Sequence, residues 1–444
     1  ICFYNRFFYV IIIYEKIYLS IYFRRNAMAL KTFPNGLRVS IIPKTDAKLA
    51  SVCLHVTSGT QSEKNYESGI SEFTSRMLLM GTKKHPTNRE LITFAKSNGI
   101  LLETDNTAES IVIVASTTAD NVGKAIDLVS EIAFESIFST PAGDMVRNTL
   151  LSDIAKLQEN PSYVLNRMVN QALFYRTGLA NPKFGTTTTI SRMTAGDSKE
   201  FFERVLTPKN TVISVVGDID GDAVYEKVMK TVYTRFTEGG EYKKLKYVAE
   251  IDNFIGGERS KNKKLNQSRI LFAFPSVSYK SSSKYVMPII LPLLERRIKD
   301  ELKNASFFHS EKIFNEQFAN NGKIEIECIV DFENVGVYMD EIVKCIKNMT
   351  AIGIGENEFE IEKNAFIIDF LKDNERSRDL CINAARDVAI AKQSYSLASE
   401  LMKVELTTYS DANDIFRDVF DFSKLYIAYL GNPTDVNSAK YIDF

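Results

Sequence analysis

Apolar positions recur along this chain in two rhythms, and the rhythm changes at recognisable punctuation. Residues 32–43, TFPNGLRVSIIP, carry an Asn35-Gly36 turn followed by an alternating apolar run, which predicts a hairpin. Residues 50–57 predict a second strand. Its His55 reads as a packed sheet-face histidine rather than a ligand, because no second His or Cys stands near it in sequence. Between 69 and 80, Ile70, Phe73, Met77 and Met80 repeat at helical spacing, so one apolar stripe faces a core. Glu72, Ser75, Arg76 and Leu79 fall on a different face of that helix. Thr87, with Glu90 three residues on, opens a helix over 87–98 through a capping box. Strands follow over 101–104 and 110–116, and helices over 119–134 and 144–158. The second of these carries Val146, Leu150, Ile154 and Leu157 on one face. It stops at Asn160-Pro161, because the residue before a proline avoids helical geometry. A helix over 195–205 and a buried strand over 210–217 complete this part.

From 237 to 268 the chain turns polar, with Gly239-Gly240 and Gly256-Gly257, and reads as a linker. Its basic run, 259–264, fits a solvated linker better than a binding patch. Beyond it the order of elements starts again. The strand 269–275 parallels 50–57, and the apolar helical run 285–303 parallels 69–80. Residues 413–420 and 425–431 parallel the helix at 195–205 and the strand at 210–217. Gly217 and Gly431 lie 214 residues apart, and the other pairs keep nearly that offset, so an internal duplication is the natural inference.

Composition narrows the function classes. At 444 residues the chain exceeds one ordinary domain. A net charge of −1 gives no bulk attraction to nucleic acid or an anionic membrane. Five cysteines (2, 53, 328, 345, 381) are scattered with no C-x-x-C pair. That spacing fits reduced thiols in a cytoplasmic protein, not a disulfide framework or a structural zinc site. Residues 1–27 are rich in Ile, Tyr and Phe, and the chain opens with Ile. The apolar run 7–14 is broken by Glu15 and Lys16 and is too short to span a bilayer. Signal-peptide and transit-peptide order are both missing. The segment reads as a non-native extension before a start at Met28, with a membrane anchor as the alternative.

The stretch 69–82, GISEFTSRMLLMGT, resembles the active-site helix of the insulinase/pitrilysin family of inverted-zincin metallopeptidases. Gly69, Ile70, Phe73, Met77, Leu78, Gly81 and Thr82 match the family wording. Further matches are Pro182, Phe184, Gly185-Thr186, Phe201-Phe202, Pro208, Asn210 and Gly217-Asp218, so the likeness covers roughly residues 30 to 235 well. The second half is much less like the family in detail. The resemblance implies an α+β fold of two homologous halves in a clam-shell. Each half would hold a mainly antiparallel sheet covered by helices on one side, here 28–236 and 269–444.

The resemblance also implies where a zinc peptidase would do its chemistry. The family's His-x-x-Glu-His places two imidazoles on one helix face, with a Glu as general base. Those three positions are Glu72, Ser75 and Arg76 here. The family's further Glu ligand falls on Asp153, 77 residues past Arg76. A guanidinium stays protonated and donates no lone pair, so no metal and no cofactor are expected, although active members hold zinc. The family's substrate-holding Arg and Tyr fall near Lys303 and near Phe307 or Phe308, where neither the fork nor the hydroxyl is kept. No glycine occurs between Gly257 and Gly322, and Pro288 and Pro292 interrupt the helical run, so a substrate-handling glycine loop is not supported. The chain also carries no phosphate-loop or dinucleotide motif and no G-x-S-x-G elbow.

A chain with this pattern is similar to the non-catalytic subunits of mitochondrial-processing-peptidase-like heterodimers. Such a chain is expected to pair with a catalytic homologue and to help hold a peptide or unfolded polypeptide, with no nucleic acid and no membrane span. The alternatives are a zinc metalloendopeptidase with an atypical site, and a structural core subunit of a larger complex. Arg76, four residues after Glu72, is expected to sit between Glu72 and Asp153 as a fixed positive charge.

Overall fold

The computed structural model describes residues 29–236, 256–302, 308–431 and 438–442. The 1–27 extension, Lys303 and Phe307 lie outside the described residues. Strands β1 (Ala29–Thr32), β2 (Arg38–Pro43), β3 (Ala50–Val56), β4 (Leu101–Asn106), β5 (Ile111–Thr117) and β6 (Thr211–Gly217) form one sheet, ordered β1-β2-β6-β3-β5-β4. Only β2 and β6 run parallel in it. A second sheet, ordered β7-β11-β8-β10-β9, holds β7 (Gly257–Lys261), β8 (Ser268–Pro275), β9 (Phe308–Gln317), β10 (Gly322–Val330) and β11 (Tyr426–Leu430). Here too one pair, β7 and β11, is parallel. The duplication is therefore topological: β7 answers to β2, β11 to β6, β8 to β3, β10 to β5 and β9 to β4.

This correspondence corrects the linker reading. Residues 257–261 are a strand, not connection. Its sequence, GERSK, hides that role because an edge strand needs no apolar alternation to pair one side of its backbone. The part of the expected linker at 237–255 lies outside the described residues.

Each sheet carries its own half's helices on one face. On the first, Val39, Ile41, Val52, Leu54, Ile113 and Ala115 alternate inward. They meet α1 (Ile70–Met77), α2 (Asn88–Ser97), α3 (Val122–Glu135), α4 (Thr140–Glu159) and α6 (Ala195–Val205). Thr87 caps α2 as expected, accepting from the Glu90 amide while Glu90 answers the Thr87 amide. On the second sheet, Phe272, Phe274, Ile324 and Ile326 meet α7 (Val286–Leu302), α8 (Val335–Ile352) and α10 (Tyr409–Val419). Proline does not interrupt α7. Pro288 sits in the first turn, where its amide would be unbonded anyway, and Pro292 alone is carried inside the helix. Among the described residues no helix is long and apolar enough to cross a membrane.

The opposite face of each sheet is covered by a helix from the other half. Helix α5 (Pro161–Leu173) leaves the first half and lays Leu165, Met168, Val169 and Leu173 on Leu271, Ala273, Tyr426, Ala428 and Leu430 of the second sheet. Helix α9 (Ser377–Ala391) returns the exchange. Its Leu380, Cys381, Ala384, Ala385 and Val388 pack on Ile42, Cys53, Val112, Val114, Val212 and Val216. The Cys381 thiol also reaches the carbonyls of Ser214 and Ser51, at 3.1 and 3.4 Å. The expectation of helices on one side only therefore describes half of each sandwich.

Sequence reading assigned nothing to 161–173. Asn160 ends α4 but also caps α5, accepting from the Ser162 amide at 3.0 Å, and Pro161 takes the first helical position. A polar stripe one turn apart on α5 then matches the alternation of β10. Ser162 donates to Glu327. Asn166 donates to both Glu325 oxygens at 2.8 and 3.0 Å, and buried Lys323 bridges Asn170 and Glu325 at 2.8 and 2.7 Å. At the other crossing, Arg38 donates to the Val388 and Ala389 carbonyls at 2.8 and 3.2 Å.

The clasp makes two expected outcomes. Leu165→Ala, in a fully buried site of the exchanged helix, costs roughly 2–5 kcal/mol. Calorimetry should show one transition shifted as a whole, because neither half keeps its second layer alone. A shift confined to one of two separate transitions would refute the clasp. The second outcome is acid sensitivity. His55 lies under α9, and burial, with the Arg38 and Arg386 charges beside it, lowers its pKa to about 3. The unfolded chain binds this proton near pH 6.5 and the folded chain does not. Stability should fall as pH drops from about 6.5 towards 3, by up to about 1.4 kcal/mol per pH unit from this residue. His55→Gln should flatten that slope in denaturant titrations.

Candidate functional site

Helix α1 is set by its two ends. Gly69 precedes it with φ +92°, and a Cβ there would come within 2.8 Å of the Gly185 backbone. Buried Glu63 accepts from the Gly69 and Ser71 amides at 2.9 and 3.0 Å and from the Ser71 hydroxyl. Burial pushes the Glu63 carboxyl up to about 8, against those hydrogen bonds. The helix is shorter than the expected 69–80. The chain tightens after Leu78, where Met80 bonds back to the Met77 carbonyl, and Gly81 turns it at φ +144°. Ile70, Phe73, Met77 and Leu78 enter the first core, which presents Glu72 and Arg76 on the other side.

There the three expected charges meet. Arg76 Nε donates to Glu72 Oε1 at 2.8 Å, and Arg76 Nη1 donates to Asp153 Oδ2 on α4 at 2.8 Å. The side chains of Arg76, Glu72 and Asp153 are 26, 10 and 30% exposed, so the group is half-buried. Burial works to lower the pKa of Arg76, but the hydrogen bonds to Asp153 and Glu72 outweigh it and hold the guanidinium above its ordinary value. Ser75 is buried, and its carbonyl accepts from Thr104 on edge strand β4 at 2.9 Å.

Sequence reasoning missed the loop that closes this group. Lys183 stands 4.0 Å from Glu72 and 3.2 Å from Asp105 of β4. The Phe184 ring lies 5.6 Å from the Arg76 guanidinium and 5.8 Å from the Lys183 ammonium. Phe184 was visible as a family match, whereas Lys183 sits in a loop with no periodic signal. Asp105 also borders a cavity of about 520 Å³ between the halves. The first half contributes buried His55 and Glu109 to its wall, and the second contributes Gln317, Phe318 and Arg386. Glu109 accepts from the Ala319 amide at 2.9 and 3.0 Å, which ties the halves at this edge, and within the second half Arg386 donates to the Gln317 carbonyl at 2.6 Å.

Chemically the group is a saturated ion cluster. Glu72 of α1 and Asp153 of α4 each give one carboxylate oxygen to a cation that carries no lone pair. Among the described residues no three His, Cys, Asp or Glu side chains gather as metal ligands. Ser75 offers no carboxylate base at its position. Of the expected substrate-holding positions, Phe308 opens β9.

Two like α+β halves, with a polar helix face answered by an acid 77 residues on, define the clam-shell peptidase class of fold. Comparison with known proteins places the chain within it. The family described as insulinase (peptidase family M16) matches residues 38–187, and the M16 inactive domain matches 192–366. The chain belongs to the M16 insulinase family. It is 24% identical to the mitochondrial-processing peptidase subunit beta of Dictyostelium discoideum, over 93% of this chain and 91% of that protein. A cytochrome b-c1 complex reductase subunit of Candida albicans is 26% identical, over 58% and 55% of the two chains. Among solved structures, a protease from Helicobacter pylori superposes with a TM-score of 0.83 at 16% identity, over 92% of this chain and 100% of that one.

Substitution separates a structural ion cluster from an idle surface. Arg76→Ala strands two carboxylates and should cost about 1–3 kcal/mol, less than in a fully enclosed triad because solvent screens it. Combining Arg76→Met with Glu72→Gln and Asp153→Asn should recover most of that loss in urea melts. Equal stability of Arg76→Ala and the native chain would make the contacts incidental.

Proposed function

We propose that this chain is a non-catalytic subunit of the insulinase family. It pairs with a zinc-peptidase homologue and forms part of the wall of a peptide-binding chamber. The observation that carries the reading is the Arg76 guanidinium bonded to both Glu72 and Asp153, on the helix face where an active member needs metal ligands. A guanidinium there fills the place of a cation without activating water. The chain keeps the family's shape, and the cavity between its halves offers room for polypeptide. Relatives named as subunits of a processing peptidase and of a cytochrome complex support an assembled state.

A second reading is a structural core subunit of a larger complex, favoured by the likeness to the b-c1 complex subunit of Candida albicans. Both readings predict a zinc-free chain. After dialysis, elemental analysis should find far less than one zinc per chain, and the isolated chain should leave unfolded peptides uncut. Stoichiometric zinc, lost on changing Glu72 and Asp153 together, would return the chain to the active peptidases. Affinity purification from its own cells distinguishes the two non-catalytic readings. Recovery of one soluble partner carrying an intact His-x-x-Glu-His supports the first, and recovery with a membrane complex supports the second.

A further inference from the structure

A basic groove lies where α5 passes the edge of the second sheet. It holds about 640 Å³ between the helix and β7. Among the α5 residues that line it, Tyr163, Arg167 and Gln171 are four apart and share one helix face. From the sheet come Arg259 and Lys261. Their direction is set by register. Arg259 pairs with Ala428 and Lys261 with Leu430. Ala428 and Leu430 both face α5, so the two basic side chains stand on that same side. Lys263, just past the strand, closes one end by donating to the Gln158 and Glu159 carbonyls at 2.9 and 3.2 Å.

The groove is short of acceptors. Arg259 donates to the neutral Gln171 Oε1 at 3.2 Å, and among the described residues it makes no ion pair. Arg167 Nε is buried without a hydrogen-bond partner. A guanidinium nitrogen withdrawn from water and left unbonded costs free energy that an arriving carboxylate recovers. Among the described residues the Lys261 ammonium makes no ion pair. The acid in its lining is Glu159 at the closed end, 3.9 Å from Lys263. This is a local excess of positive charge on a chain whose net charge is −1.

The shape of that excess selects among anions. The cations do not converge on one point, as they would around a single phosphate. Arg259 and Lys261 stand two residues apart on β7, about 7 Å along the strand, with Arg167 across from them, and the α5 side of the groove runs about 12 Å from Tyr163 to Gln171. About four residues of extended polypeptide have that length. The amide of Gln171 suits a peptide backbone, and Val164 and Met168 supply an apolar floor. We propose that the groove between α5 and β7 binds an extended acidic polypeptide segment, with its carboxylates on Arg167, Arg259 and Lys261. The site lies apart from the Arg76 cluster and from the cavity lined by His55, and it does not depend on the function proposed for them.

The test uses the full chain and a fluorescein-labelled hexaglutamate peptide, followed by fluorescence anisotropy at low and physiological salt. Saturable binding of one peptide per chain is expected, with none for hexalysine. Arg167→Gln and, separately, Lys261→Gln should each weaken it by about tenfold, equivalent to about 1.4 kcal/mol. Lys261 is exposed on an edge strand, so its variant should melt like the native chain and keeps the test valid if Arg167→Gln misfolds. Absence of saturable binding overturns the proposal. So does binding that the folded Lys261→Gln variant leaves unchanged. Displacement by inorganic tripolyphosphate at lower concentration than by unlabelled hexaglutamate would also overturn it, by marking a phosphate site.

Discussion

The exchange of α5 and α9 is the constraint on which the rest of this molecule depends. A sheet buries apolar side chains on both faces only if both faces are covered. Each half has enough helices for one face and sends one more to its neighbour. Val112, Val114, Val212 and Val216 would face water without α9, as Leu271, Ala273 and Ala428 would without α5. Burial of this kind is worth roughly 25 cal/mol per Å² of apolar surface, so separating the halves would expose two cores at once. Polar contacts then fix the docking. The Ser162, Asn166, Asn170 stripe against Glu327, Glu325 and Lys323 matches only one register.

Much of the local structure was legible in the sequence, for reasons that can be named. The Asn35-Gly36 turn, the Thr87–Glu90 capping box and the strand alternation are local signals that report local geometry. The duplicated order of elements followed from them. What escaped was what each apolar face meets. Leu380, Ala384 and Val388 have the same helical spacing whether they cover their own sheet or another. Strand β7 escaped because an exposed edge carries no hydropathy signal, and α5 because Asn160-Pro161 reads equally as a stop and as a start.

The site divides along the same line. Glu72 and Arg76 were legible because i and i+4 on a helix are neighbours by construction. Asp153 came from the spacing of a family that keeps the same scaffold, and its 2.8 Å contact with Arg76 shows how well that scaffold persists here. Lys183 and Asp105 were out of reach, since a loop and an edge strand become neighbours only once the whole half is folded.

The corner at Asn160 has a mechanical meaning. This one residue terminates the helix that bears Asp153 and caps the helix that crosses to the second half. No slack chain separates the two, and the adjoining proline fixes φ there. The pair acts as a bent lever. Its long arm reaches the charged group beside α1, and its short arm is fastened to one face of the second sheet, packed on β8 and β11 and hydrogen-bonded to β10. Any rocking of one half against the other is delivered along that arm to the Asp153 carboxylate. The width of the opening between the halves and the grip on the Arg76 guanidinium are thereby one coordinate rather than two.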